Sequence, residues 1–401
     1  MAPKILLFIF LAYLFPSPGW AQDTVTMLQL DPLSGPFKEV GELSIAGVQF
    51  LVEEVNNAGG LLGKKIKYMP EDSRLKPDVA VRKANKAILE ENAKIILQLN
   101  STAVARALMD VAEKSKVIFV TLGTEADFLT GRDFNPYFFR TCFTTENRSK
   151  AYAEFFKTKP WRKFYLINMD YAFGHAVAND FKSTLKKEIP DLRIVGEDFH
   201  PLATKDFRPY LTKILDSGAE IIFTGNWGTD LEVLMRQGAQ MGVKARYATY
   251  FLDDRAHLSS VGQFAVGSFV NSTYFPTIET PQNKSFLERW NKKNKDTKDS
   301  WPTAYIGYGY NGVKFLFEAI KKAESFDAEA VIKAWEGMEY NSLIGKQVMR
   351  ACDHQIMMPG FIAEIQAKSD LFPFPSPGTP AMFPMDKVAV PIKETGNPRC
   401  Q

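Results

Sequence analysis

"IILQLNSTAVARALMD", residues 95–110, changes character at Asn100. Ile95 to Leu99 is a short, dense apolar run, the signature of a buried strand. Helical spacing begins directly after Asn100, Ser101 and Thr102, three small polar residues in a row. They have two readings: plain caps of the following helix, or hydroxyls that face a cleft and hold something. The rest of the chain has to decide between them.

Working outward, the same strand–turn–helix unit recurs on both sides. Before it come a strand over 24–30, a helix over 43–58 with Val48, Leu51, Val52 and Val55 on one face, and a strand over 65–69. Next is a helix carrying Ala80, Ala84, Ala87 and Ile88. After it, a helix over 102–114 leads to a strand over 117–121. Strands separated by helix-length spacers predict βαβ units and a parallel, doubly wound sheet. A second run repeats the rhythm: strands at 164–169, 193–199, 220–225 and 246–250, with helices near 175–188, 206–217 and 229–241. The fold class is therefore α/β, with two doubly wound parallel-sheet lobes.

Past residue 250 the rhythm changes. "FAVGSFVNSTYF" (264–275) reads as a long extended stretch, and helices follow near 282–294, 302–324 and 328–337. "GKQVMR" (345–350) and "FIAEIQ" (361–366) look like a β-pair. The proline-rich "LFPFPSPGTPAMFP" (371–384) reads as a polyproline-like surface wrap without secondary structure.

Composition narrows the function. With 401 residues, 45% apolar and 24% charged, the chain is too long for one core. A net charge of +3 with no basic stripe argues against nucleic acid as partner. Lys4, the apolar run 5–15, "PSPG" and the small residues of "GWA", three and one before a cut after Ala21, predict a secretory leader over 1–21, hence a soluble, exported protein. Of three cysteines, Cys142 stands alone. In an oxidising compartment Cys352 and Cys400 suggest a bridge, the alternative being two unrelated thiols.

Catalytic and cofactor signatures fail on spacing. "NNAGGLLGKK" (56–65) has Ala58 where a phosphate loop needs glycine and Lys65 where it needs Ser or Thr, and it follows a helix. His175, His200, His257 and His354 are scattered without metal-ligand spacing, so neither a metal nor a cofactor is expected. No nucleophile elbow is present. What remains is the loops at strand C-termini, where open α/β sheets bind ligands. Those of the first run, holding Ser101, Thr102, Gly123 and Thr124, are rich in hydroxyls and helix-start N–H groups and suit an anion. Those of the second offer Tyr171, Phe173, Trp227 and Tyr250, which suit an apolar or aromatic body, with Asn226 a further ligand-binding candidate beside Trp227.

"LDPLSGPFKEVGELSIAGVQFLVEEVNNAGGLLGKKIKYMPEDSRLKPDVAVRKANKAI" resembles the opening of periplasmic solute-binding proteins of the leucine/isoleucine/valine-binding type. "FGHAV", "KDFRPYLTKIL", "LMRQGAQMGVKARY" and "AYIGYGYNGVKFLFEAI" follow in that family's order, and "MRACDHQ" and "KETGNPRC" resemble one of its subgroups. The resemblance implies two lobes joined by a three-stranded hinge, with a small carboxylate-bearing ligand trapped on closure. It implies a monomer that delivers this ligand to an ABC permease and ATPase. The lobes would be 22–142 with 271–342, and 143–270 with 343–401, with crossings near 140–145, 266–272 and 340–346. Ser101 matches the family's serine for the ligand carboxylate, and Gly123 and Thr124 lie in its second loop. The family's tyrosine of the first loop is Val40 here. Its carboxylate for the ligand's amino group falls near Phe251, leaving Asp253 or Asp254 as replacement. Two ligand classes stay open: an amino acid, or an aromatic or aliphatic acid. The alternative function is a ligand-sensing receptor module partnering a signalling protein.

Overall fold

The computed structural model describes residues 23–401 apart from 36, 254, 298–299, 369–371 and 373. The expected leader 1–21 and Asp254 lie outside the described residues.

The first run folds as β1 (Thr24–Asp31), α1 (Lys38–Asn57), β2 (Lys65–Asp72), α2 (Pro77–Glu91), β3 (Ala93–Gln98), α3 (Thr102–Ser115), β4 (Ile118–Thr121) and β5 (Phe138–Arg140). Its sheet is parallel, in the order β2-β1-β3-β4-β5. The order reverses between β1 and β3, which makes a switch point at their C-terminal ends.

The second run comprises α4 (Thr145–Lys157), β6 (Lys163–Met169), α5 (Ala172–Glu188), β7 (Arg193–His200), α6 (Arg208–Ser217), β8 (Ile221–Thr224), α7 (Gly228–Gln240), β9 (Arg246–Thr249), α8 (Arg255–Val261) and β10 (Phe269–Asn271). Strands β7-β6-β8-β9-β10 are parallel, with a second switch point between β6 and β8.

Then come α9 (Pro281–Asn294), α10 (Ala304–Ala323), α11 (Ala328–Trp335), β11 (Glu339–Ser342), β12 (Gly345–Met349), β13 (Ile356–Met357), β14 (Gly360–Gln366), β15 (Ser376–Pro377), β16 (Ala381–Phe383) and α12 (Met385–Val388).

Helix α1 starts five residues earlier than its apolar pattern suggests. Its inner face includes Gly41, Ser44 and Gly47, which are buried without being apolar. The cause is the close approach of α10: a Cβ on Gly47 would lie 2.1 Å from the Ile306 carbonyl oxygen, and one on Gly309 2.5 Å from that of Ser44. Larger residues here would push the two helices apart.

The C-terminal third departs from expectation in three places. Only Phe269–Asn271 of the stretch 264–275 is strand, and Gly262–Ala265 is a 3₁₀ turn. β12 pairs with β11 and β13, whereas β14 joins the second sheet antiparallel to β10. The expected 345–350/361–366 pair does not form, because each strand meets a different sheet edge. The proline-rich stretch supplies two short strands, β15 and β16, both antiparallel to β14. Proline is tolerated on such a terminal strand, whose missing N–H costs no ladder bond.

The chain passes between the sheets after β5, after β10 and between β13 and β14. The third passage lies later than the expected 340–346. The tail then runs back: α12 packs on α4, the Val388 carbonyl accepts from Asn147, and Asn397 donates to the Thr130 carbonyl at 2.8 Å. Cys400 ends beside Cys352, with sulfurs 2.04 Å and Cα atoms 5.1 Å apart. The tail end therefore sits on the first lobe's side, not on the second lobe. Thiol labelling of denatured, non-reduced protein is expected to find one free cysteine, Cys142; three labelled thiols would rule the bridge out.

Candidate functional site

The two switch points face each other, and the loops that leave them form a cleft. From the first lobe come Leu99, Asn100, Ser101, Thr102, Gly123, Thr124 and Glu125; from the second, Tyr171, Phe173, Trp227 and Phe251; Tyr305 and Tyr308 of α10 close the floor. The cleft between these loops has a volume of about 30 Å³. At its mouth Phe37, the residue before α1, meets Trp227 with ring centroids 4.0 Å apart.

Ser101 is both cap and cleft wall. Its Oγ accepts from the Val104 N–H at 3.3 Å, and its carbonyl accepts from Ala105. The N–H groups of Thr102 and Ala103 precede the helix ladder, so they are the donors that an anion at this helix start would meet. Ser101 has φ = 89°, left-handed backbone that is strained for any residue but glycine. Strain of this kind concentrates at binding sites, where surrounding structure holds it in place.

That surrounding structure is Asp31 at the end of β1. Its Oδ1 accepts from the Leu99 and Asn100 N–H groups at 2.9 and 3.0 Å, and Gln29 donates to its other oxygen at 2.7 Å. Burial pushes the Asp31 carboxyl up to about 6, although these hydrogen bonds pull it down. The folded chain therefore holds this proton more tightly than the unfolded one. The contribution of Asp31 to stability is full below about pH 4 and is lost as pH rises through 6. Subtracting the pH–stability curve of Asp31→Asn from that of the wild type should leave a decline between pH 4 and 6. A flat difference would contradict the assignment.

Among the described residues Glu125 is the carboxylate on the cleft wall, and it is fully engaged. Arg148 of α4, buried like Glu125, donates from Nε and Nη2 to its two oxygens at 2.6 and 2.5 Å. Arg148 also donates to the Tyr308 hydroxyl at 3.2 Å and to the Asn271 carbonyl. Its guanidinium carbon lies 4.8 Å from the Tyr250 ring centroid and 5.4 Å from that of Phe251. Burial pushes Glu125 above the ordinary carboxylate range, and the charge of Arg148 offsets only part of that. Arg148 itself is held charged.

Seven of the residues expected from sequence meet on the cleft: Ser101, Thr102, Gly123, Thr124, Tyr171, Phe173 and Trp227. Thr124 is already engaged, its hydroxyl lying 2.8 Å from Gln98 Oε1 and 3.0 Å from the Leu99 carbonyl. Trp227 donates to the Tyr171 hydroxyl at 2.9 Å, which fixes both rings. Three others are not brought to the wall. Asn226 turns inward to His200 at 2.8 Å. Tyr250 lies beneath Arg148 and stacks on Tyr152. Asp253 lines a neighbouring chamber with Trp301 and Phe374. Sequence reasoning missed Phe37, Asp31, Glu125 and Arg148.

Against known proteins, a family model described as periplasmic binding protein matches residues 24–370. A Leu/Ile/Val-binding protein homolog 4 of Brucella abortus is 29% identical over 365 residues, covering 88% of this chain and 86% of its own. Among solved structures, a leucine-, isoleucine-, valine-, threonine- and alanine-binding protein from Brucella ovis in its closed conformation superposes with a TM-score of 0.80. It has 26% identity, and the match covers 92% of this chain and 97% of that one. An ABC transporter solute-binding protein from Rhodopseudomonas palustris, in complex with 3,4-dihydroxybenzoic acid, gives 0.80 at 24% identity, covering 90% and 98%. The receptor-module alternative finds no support among these. No helix of the described residues is long and apolar enough to cross a membrane. The doubled switch-point architecture and a family match over 24–370 lead to one conclusion: this chain belongs to the periplasmic binding protein family.

Proposed function

We propose that the chain captures a small carboxylate without a cationic amine, an aromatic acid foremost, and delivers it to an ABC permease and its ATPase. As a family member it is a solute-binding protein and not an enzyme. The observation that carries the choice of ligand is the Glu125–Arg148 pair. An amino-acid ligand needs a carboxylate for its ammonium group, and among the described residues the one on this wall, Glu125, is already paired with a bidentate arginine. The α3 start offers donors to an anion, and Tyr171, Phe173, Trp227 and Phe251 offer ring surfaces to an aromatic body. The fold takes such acids, as the 3,4-dihydroxybenzoate complex of the R. palustris protein illustrates. In this reading the leader 1–21 is removed on export, the monomer works in the periplasm, and closure about the three sheet-to-sheet passages traps the ligand.

Mass spectrometry of the small molecule released on denaturation, followed by calorimetry with benzoates and with leucine, tests the reading. Tight leucine binding with no response to any aromatic acid would overturn it. Ser101→Gly separates site from scaffold. Glycine accepts the left-handed backbone and costs only a few tenths of a kcal/mol as a cap, so stability should stay within about 1 kcal/mol of wild type. The lost hydroxyl, at about 1.5–3 kcal/mol for a hydrogen bond to a charged group, should weaken binding roughly ten- to a hundredfold. Undiminished affinity would return Ser101 to a cap alone.

A further inference from the structure

Beside the cleft lies a larger chamber of about 250 Å³, walled by Trp301, Phe372, Phe374, Leu258, Asp253 and Arg255. Its rings form a continuous surface: Trp301 and Phe372 have centroids 5.6 Å apart, Phe372 and Phe374 5.4 Å. The guanidinium of Arg255 lies 5.4 Å from the centroid of Phe374. Both lobes build this chamber. Asp253, Arg255 and Leu258 come from the β9–α8 region, Trp301 and Thr303 from the approach to α10, and Phe372, Phe374, Ser376 and Pro377 from the C-terminal wrap.

Chamber and cleft are lined from neighbouring positions of the same two segments. Phe251 lines the cleft, and Asp253, two residues on, lines the chamber; Tyr305 and Tyr308 line the cleft, and Thr303 at the same helix start lines the chamber. Asp253 is near enough to Tyr308 for its charge to act on the phenol. The cleft is the smaller of the two spaces, at about 30 Å³. An apolar cavity of about 150 Å³ takes a benzene molecule, so the chamber has room for one ring and part of a linker.

We infer that cleft and chamber are the two ends of one binding site, and that the ligand is an elongated aryl-alkyl carboxylate whose terminal ring occupies the Trp301–Phe374 chamber. The inference rests on the carboxylate reading above. Because the chamber needs both lobes, a ring held there favours the closed state, adding affinity that a short acid does not gain.

Calorimetry with an ω-phenylalkanoate series, from phenylacetate to 6-phenylhexanoate, tests it on the full-length exported protein. Wild-type affinity should climb with chain length to an optimum at least about tenfold above phenylacetate, as expected for added apolar burial. Trp301→Ala and, separately, the milder Phe374→Leu should flatten that climb, with thermal unfolding confirming that both variants are folded. Equal affinity along the series in wild type, or a climb that survives in both folded variants, would overturn the tail assignment and leave the carboxylate reading standing. Failure of every acid in the series to bind wild type, alongside tight leucine binding, would overturn both.

Discussion

Replacing Arg148 by methionine is expected to lower the unfolding free energy by about 3–5 kcal/mol, because Glu125 would remain buried as an unpaired charge. The side chains of both residues are fully buried, so solvent screening cannot soften the loss. Much of the cost arises from the carboxylate left behind, and the double variant Arg148→Met with Glu125→Leu should recover most of it. Urea unfolding of the wild type, the single variant and the double variant measures this directly. A single variant within 1 kcal/mol of wild type would show that the pair contributes little. The consequences extend to the site. Arg148 sits just past the first passage between lobes, contacts Asn271 at the second, and holds Glu125 in the loop that carries Gly123 and Thr124. One guanidinium thus ties the hinge to the cleft wall.

Much of the fold was legible because α/β folding rests on local periodicity. Most helices and strands of the two βαβ runs could be placed from apolar spacing, β5, α4 and α8 being the ones it did not reach, and the loops that bind ligands follow from the direction of parallel strands. Ser101, Thr102, Tyr171, Phe173 and Trp227 were found in this way, each within five residues of a strand end. What escaped depends on pairing at a distance. β12 and β14 read alike in sequence, and only the sheet edge each meets decides its partner. Glu125 and Arg148 are ordinary charged residues until burial joins them. The direction of a side chain after a strand is equally invisible: Tyr250, one residue past β9, turns beneath Arg148, while Phe251 reaches the cleft. Helix α1 hid its start because glycine and serine, chosen for close approach to α10, break the apolar pattern. Asp253 is a related case. Proximity in sequence to Phe251 placed it near the cleft but could not say that it lines the neighbouring chamber.

Trp227→Ala is expected to weaken ligand binding at least about a hundredfold, the range in which truncated aromatic anchors cost 2 to 4 kcal/mol. Two effects add. The indole lines the cleft and fixes the Tyr171 ring through its N–H, so the aromatic wall that meets the ligand body loses both surface and order. The second effect needs no ligand contact at all. Phe37 belongs to the first lobe and Trp227 to the second, so their ring contact at 4.0 Å exists only when the lobes are together. Deleting it penalises the closed state alone, and apparent affinity falls by the fraction of closed molecules lost. Phe37→Ala removes the same contact with the indole still in place, so it isolates the closure term. Calorimetry on both variants, paired with small-angle scattering, separates the two. Phe37→Ala should bind more weakly than wild type yet more tightly than Trp227→Ala, and at saturating ligand both should still reach the compact radius of wild type. Full affinity in Phe37→Ala would mean that the contact across the cleft mouth does not govern closure, and would leave Trp227 acting through the ligand alone.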